Sequence, residues 1–68
     1  MRAEQKDLSP REKEVLMLAS KGLQNVDIAR ISGISVNTLK YHMKNAYGKL
    51  GVTNRTEAVT EAIRRGIL

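Results

Sequence analysis

The 68-residue sequence contains no cysteine, tryptophan or phenylalanine, and it has one proline and one histidine. Without cysteine the chain forms neither disulfides nor thiolate metal sites, and His42 alone cannot hold a metal ion. No apolar run approaches the roughly 20 residues of a membrane-spanning helix, so we expect no membrane partner. With only Tyr41 and Tyr47 as aromatics, a stacking platform for single-stranded nucleic acid is not expected.

Acidic residues are missing from one long stretch of the chain. Between Ile28 and Thr56 there is no carboxylate, while the other seven cations are matched by seven acids, so the net charge of +5 is local. An acid-free basic stretch is what a polyanion-binding surface needs, because cations near phosphates release condensed counterions. A solvated basic surface without a partner is the alternative. The cations of this stretch are Arg30, Lys40, Lys44, Lys49 and Arg55.

Helix-ending and helix-starting signals divide the chain into four segments. Four glycines are each followed by an apolar residue, which is typical of a helix C-terminus: Gly22-Leu23, Gly33-Ile34, Gly51-Val52 and Gly66-Ile67. Capping patterns precede three of the segments: Ser9-Pro10-Arg11-Glu12, Ser35, and Asn54-Arg55-Thr56-Glu57. No strand pattern competes, so we predict an all-α domain with helices at about 10–21, 25–32, 36–50 and 55–65.

The domain is expected to occupy residues 8–68, preceded by a frayed arm or linker remnant at 1–7. Those first seven residues are polar and carry no helical periodicity. At 68 residues the chain is long enough for one small core and no more.

The third predicted helix has two chemically distinct faces. At about 100° per residue, one arc is apolar and contains Val36, Leu39, Met43, Ala46 and Leu50. The opposite arc is basic and hydrogen-bonding, with no acid: Asn37, Lys40, Tyr41, Lys44 and Gly48. An ordinary amphipathic surface helix is the alternative, but such helices usually mix acids with bases. A short helix, Gly33-Ile34-Ser35 and a longer basic helix also have the spacing of a helix-turn-helix that enters the major groove.

No residue pattern indicates catalysis. A catalytic histidine needs a nucleophile or carboxylate beside it, and none is suitably spaced from His42. We interpret His42 as a packing or phosphate-contacting residue and Tyr47 as a packing residue. We therefore predict no enzyme activity, no catalytic residue, no metal and no cofactor.

Several runs of sequence together resemble the LuxR-type (GerE-like) DNA-binding domain over residues 8–68. They are Leu8–Leu16, Asn25–Ala29, Ile34–Met43, Lys49–Val52 and Arg55–Val59. The segments Ser35–Thr38 and Lys44–Tyr47 are most similar to the C-terminal domains of MalT-like regulators. The resemblance implies a four-helix fold in which helices two and three form a helix-turn-helix, in a cytoplasmic, bacterial, response regulator-like transcription factor.

The resemblance also implies roles for individual residues. Lys40, Tyr41 and Lys44 match base-contacting positions, and Asn37 joins them on the basic face. Phosphate contacts are implied for Asn25, Ser35, Thr38 and Asn45, and the basic stretch adds Arg30, Lys49 and Arg55. Helix four is expected to pair two copies on an inverted-repeat operator through its outward residues Thr60, Glu61 and Arg64. Free in solution, we expect a monomer or a weak homodimer, because one short helix buries little area.

Four positions depart from the family pattern. Gln24 replaces the usual Ser or Thr cap of helix two, and Ser32 replaces an apolar residue on its buried face. Tyr41 is bulkier than usual, and Gly48 replaces a long, often basic residue. A protein-interaction module that contacts RNA polymerase or an N-terminal regulatory domain is the alternative function for the same four helices.

Overall fold

A computed structural model describes residues 8–68, which form four α-helices and no strand in that range. The helices are α1 (Pro10–Ser20), α2 (Asn25–Ser32), α3 (Val36–Leu50) and α4 (Arg55–Arg64). The predicted all-α fold is confirmed, and the predicted arm at 1–7 lies outside the described residues. Two helices end one residue earlier than predicted, because Lys21 and Arg65 are C-cap residues with ψ of 4° and −1°.

Side-chain hydrogen bonds cap the N-termini of α1 and α4, and the two caps differ in which N–H donates to the glutamate carboxylate. The Glu12 N–H donates to Ser9 Oγ (3.1 Å) while the Ser9 N–H donates to Glu12 Oε1 (2.9 Å), which is a complete capping box. At α4 the Glu57 N–H donates to Asn54 Oδ1 (2.9 Å). The Glu57 carboxylate, however, accepts from the Thr53 N–H (3.2 Å), one residue before the cap.

The helix-turn-helix is formed by α2 and α3 with a left-handed residue between them. Gly33 has φ 71° and ψ 31°, a left-handed backbone conformation that is strained for residues with a side chain. This conformation ends α2 and lets the chain turn into α3 within three residues. The Ile34 N–H donates a hydrogen bond to the Ala29 carbonyl (3.0 Å), and the Ile34 side chain packs against the core. The predicted left-handed Gly33, the packed Ile34 and the Ser35 cap of α3 are confirmed.

The aliphatic core is shared by all four helices, and α1 packs against each of the other three. In addition α3 packs against α2 and α4, whereas α2 and α4 do not pack on each other. The core contribution of α4 is small, since its fully covered residues are alanines and Ile63 is 58% exposed. No helix in the described range is long and apolar enough to cross a membrane. Buried apolar residues are Leu8, Val15, Leu16, Ala19, Ile28, Ala29, Leu39, Met43, Ala46, Leu50, Ala58 and Ala62.

One carboxylate lies inside this core and joins the start of α1 to the end of α3. Glu12 is 4% exposed, and its Oε1 accepts from Lys49 Nζ (2.9 Å) as well as from the Ser9 N–H. Burial raises the pKa of the Glu12 carboxyl, but the hydrogen bonds from Ser9 and Lys49 outweigh burial and hold the pKa below its ordinary value. The carboxylate is therefore the stable form in the folded domain.

We expect Glu12→Gln to reduce the free energy of unfolding by about 1–2 kcal/mol at neutral pH, because glutamine keeps the capping bond and loses only the ion pair. Since the folded-state pKa lies below the unfolded one, the stabilisation is complete above the unfolded value and disappears as the pH falls through the folded value. The difference between the two proteins should therefore shrink toward acid pH. Urea unfolding from pH 7 down to pH 3 measures this.

Glu14→Gln is the matched control for that measurement. The Arg11–Glu14 ion pair joins two side chains that are 42% and 40% exposed, so we expect its loss to cost at most about 0.5 kcal/mol. Equal losses for the two variants, or a Glu12→Gln loss that grows toward acid pH, would contradict the buried ion pair.

Candidate nucleic-acid interface

The outer face of α3 presents four polar side chains that the other helices leave uncovered. Asn37, Lys40, Tyr41 and Lys44 are all exposed, with Tyr41 at 63%. The opposite face of α3 is buried through Leu39, Met43, Ala46 and Leu50. Both faces agree with the helical wheel, and the exposed one is available along the helix to a groove of double-stranded DNA.

The cations of the acid-free stretch fall into two groups in the folded chain. Lys40 and Lys44 have no ion pair among residues 8–68. Arg30 instead pairs with Asp27 (2.9 Å), and Lys49 pairs with Glu12 (2.9 Å). The sequence stretch lacks acids, but the fold brings acids from α1 and α2 to two of its cations.

Arg55 also makes internal contacts, although its partners are neutral. Its Nη1 donates to the Leu23 carbonyl (3.2 Å), and its Nη2 donates to Asn25 Oδ1. Both acceptors lie at the start of α2, so the side chain of the first α4 residue reaches the helix-turn-helix. Arg55 and Asn25, predicted separately as phosphate contacts, are thus brought together.

The start of α3 has hydroxyl groups arranged for a phosphate. Ser35 Oγ accepts from the Thr38 N–H (3.0 Å) and donates to Thr38 Oγ1 (3.0 Å). Because the Ser35 hydroxyl proton is used in that bond, the Thr38 hydroxyl proton is left to donate outward. Both residues are exposed, whereas Asn45, further along α3, is half-buried.

The predicted dimer residues lie on the outward side of α4. Thr60 and Arg64 are exposed, and Arg64 Nε donates to Glu61 Oε1 (3.0 Å). Hydrogen bonds from Arg64 and then Arg65 lower the pKa of the Glu61 carboxyl to about 2. Glu61 is therefore ionised, and its carboxylate accepts hydrogen bonds from Arg64 and Arg65 at the C-terminal end of α4. Two shallow grooves flank α4, and Thr56 and Thr60 line both of them, so these two residues form a ridge.

Known proteins identify this arrangement. A family model described as bacterial regulatory proteins, luxR family, matches residues 6–62. The chain belongs to the luxR family. The probable transcriptional regulatory protein SgaR of Hyphomicrobium methylovorum is 54% identical over 52 residues, which cover 76% of this chain and 25% of SgaR.

Solved structures share the fold of this luxR-family domain. The transcription factor GerE superimposes with a TM-score of 0.85 at 34% identity, covering 93% of this chain and 96% of GerE. The response regulator ChrA, from a heme-sensing two-component system, gives 0.89 at 41% identity and is covered over 31% of its length. The predicted four-helix, helix-turn-helix DNA-binding fold is confirmed by these matches. The likeness to MalT-like regulators stays a prediction.

The structure shows the local consequence of three of the four departures from the family pattern. Gln24 makes no side-chain cap, which leaves the first turn of α2 without one. The Ser32 side chain faces the core, and its Oγ is buried without a hydrogen-bond partner among the described residues. The neighbouring Ile31 is 54% exposed and so does not replace Ser32 in the core. The register of α2 is therefore normal, and the polar atom is tolerated inside it. At Gly48 nothing lies within 4 Å of the position that a Cβ would occupy, so no packing within the domain requires glycine.

Sequence reasoning missed the long-range polar contacts of this luxR-family domain, among them Lys49 with Glu12, Arg11 with the Ser32 carbonyl (2.7 Å), and Arg55 with Asn25. One of them left a signal. Glu12 precedes Val15, Leu16 and Ala19 at helical spacing, so it lies on the apolar side of α1. An acid at that position indicates a partner from another helix. The two arginine contacts left no comparable pattern.

Proposed function

We propose that this domain binds double-stranded DNA sequence-specifically with α3 in the major groove. The observation that carries the proposal is the exposed α3 face, in which Lys40 and Lys44 lie beside Asn37 and Tyr41 and form no ion pair with any residue from 8 to 68. Lysine donors suit guanine O6 and N7, and the asparagine amide suits adenine N6 and N7. Membership of the luxR family supports the same function.

Phosphate contacts are proposed for side chains at both edges of that face. Ser35, Thr38 and Asn25 are at or near helix starts, where N–H groups and donor side chains favour anions. Asn45, Arg30 and Lys49 are the remaining candidates on the flanks, and Arg55 is considered further below. We propose that binding, and not catalysis, is the whole role of the domain, in the cytoplasm of a bacterial cell.

We also propose that two copies bind an inverted repeat and meet through α4. Thr56 and Thr60 form a ridge between two grooves, and we propose that the ridge of each copy packs against a groove of the other in an isologous contact. A single short helix buries less than the roughly 1,200 Å² of a stable interface, so the contact forms on DNA and is weak without it. Glu61 and Arg64 border this ridge. Contact of RNA polymerase with another face is compatible with this geometry.

Selection of bound duplexes from a random DNA pool tests the proposal. We expect an inverted repeat with half-sites spaced by about one helical turn. Titration of half and full sites should show tighter binding per site on the full repeat, while sedimentation of the free domain should show a monomer or weak dimer. Recovery of no preferred sequence would contradict specific readout. Equal per-site affinity on half and full sites would contradict the α4 contact.

A further inference from the structure

The Arg55 side chain connects two helices that do not otherwise pack together. Arg55 begins α4 and is half-buried, and it donates to the Leu23 carbonyl and to Asn25 Oδ1 at the start of α2. Because α2 and α4 make no helix–helix contact, this guanidinium links them directly. Its two hydrogen bonds hold the Leu23 carbonyl, just before α2, and the amide oxygen of Asn25, the first residue of α2.

The chemistry of the pair decides the orientation of the Asn25 amide. A guanidinium has donors and no acceptor, so it can face only the amide oxygen. The Asn25 N–H₂ group, with two donors, then points away from Arg55, and it has no partner among residues 8–68. Without Arg55 the amide could rotate, or could turn its oxygen toward a phosphate, which would repel it.

We propose that Arg55 is a positioning residue for DNA binding, acting through Asn25, whose amide it holds with the N–H₂ group presented to a DNA phosphate. This inference rests on the proposed function, in which Asn25 contacts a phosphate. It assigns Arg55 a role distinct from the direct phosphate contact that its position in the basic stretch predicts.

The two roles make different demands on the side chain at position 55. A planar guanidinium binds two separate acceptors at once, whereas a lysine is a flexible point charge. Arg55→Lys therefore keeps a positive charge for a phosphate but loses the two-point hold on Leu23 and Asn25. A direct phosphate contact would survive this change largely intact.

The experiment is a double-mutant cycle on the 68-residue chain, with affinity measured on one selected duplex at fixed salt. We expect Arg55→Lys to weaken binding by about five- to 20-fold in the unchanged background. In the Asn25→Ala background the same change should weaken binding by less than about twofold, because the group it positions is already gone. Thermal unfolding of each variant confirms that the proteins compared are folded.

Arg11→Met is the matched control. Arg11 also donates to α2, at the Ser32 carbonyl at the opposite end (2.7 Å), and it does not contact Asn25. A general loosening of α2 would give the same loss with and without Asn25, so we expect the effects of Arg11→Met and Asn25→Ala to be additive.

The salt dependence of DNA affinity is a second test that distinguishes positioning of Asn25 by Arg55 from direct phosphate contact by Arg55. Arg55→Met should leave the slope of log affinity against log salt unchanged, whereas loss of a direct phosphate contact lowers it by about 0.9. A lowered slope, or equal Arg55→Lys losses in both backgrounds, overturns the positioning role while the proposed function stands. Absence of DNA binding by the unchanged chain overturns the proposed function and this inference with it.

Discussion

Raising the salt concentration from about 50 to about 200 mM is expected to weaken DNA binding by about two to three orders of magnitude. The expectation follows from about four to six phosphate contacts per copy, each contributing about 0.9 to the slope of log affinity against log salt. Lys40 and Lys44 lie on the exposed α3 face with no ion pair among residues 8–68, and the side chains proposed to contact phosphates flank them. Electrophoretic shift or fluorescence anisotropy across a salt series measures the slope.

Lys13→Ala is the control for nonspecific charge effects in that series. Lys13 is exposed on α1 and lies outside the acid-free stretch, so its loss should leave the slope unchanged. A slope near zero for the unchanged chain would contradict DNA binding and favour a protein-interaction module. A lower slope in Lys13→Ala would show that α1 also approaches the phosphates.

Removal of the two α3 lysines is expected to reduce sequence preference strongly, with Asn37 and Tyr41 left as the other proposed base contacts. Lys40→Ala and Lys44→Ala should each cost about 1–3 kcal/mol of binding free energy at the preferred site and relax the preference at particular base pairs. Affinities for a panel of duplexes, each with one base pair of the selected site replaced, measure both effects. The double variant should bind more weakly than either single variant and should discriminate less among the members of the panel.

Thr38→Ala and Asn25→Ala are the comparison for the lysine variants. A side chain that contacts phosphate carries no sequence information, so its loss should weaken binding by a similar factor across the panel. A Lys44→Ala protein that weakens all duplexes equally would contradict base contact by Lys44 and place this lysine with the phosphate contacts.

The acid-free stretch contains the exposed face of α3, but two of its five cations are paired with acids in the folded chain. Asp27 pairs with Arg30 on the next turn of α2, and Glu12 of α1 pairs with Lys49 of α3. A count of charges along a sequence overestimates the free cations of a surface, because it ignores partners that the fold supplies. Lys40 and Lys44 form no ion pair among residues 8–68, because no other helix covers the face of α3 on which they lie.

The sequence by itself determined the helices, their caps and the two faces of α3. These features depend on interactions within a few residues: the bond between Ser9 and Glu12, the left-handed Gly33 and the helical spacing of Leu39 and Met43. Local rules of this kind predicted all four helices to within one residue at each end. They also predicted which side of α3 faces outward.

The tertiary structure alone decided which polar groups meet. Glu12 and Lys49 are 37 residues apart in sequence, Asn25 and Arg55 are 30 apart, and Arg11 and Ser32 are 21 apart. Such pairs depend on how the helices cross, and short-range propensities carry no information on that. Hydrophobic burial brings the helices together without regard to direction, and the long side chains then bind the acceptors that packing places within their reach. For this reason the exposed face of α3 could be predicted from the sequence, and the contact between Arg55 and Asn25 could not.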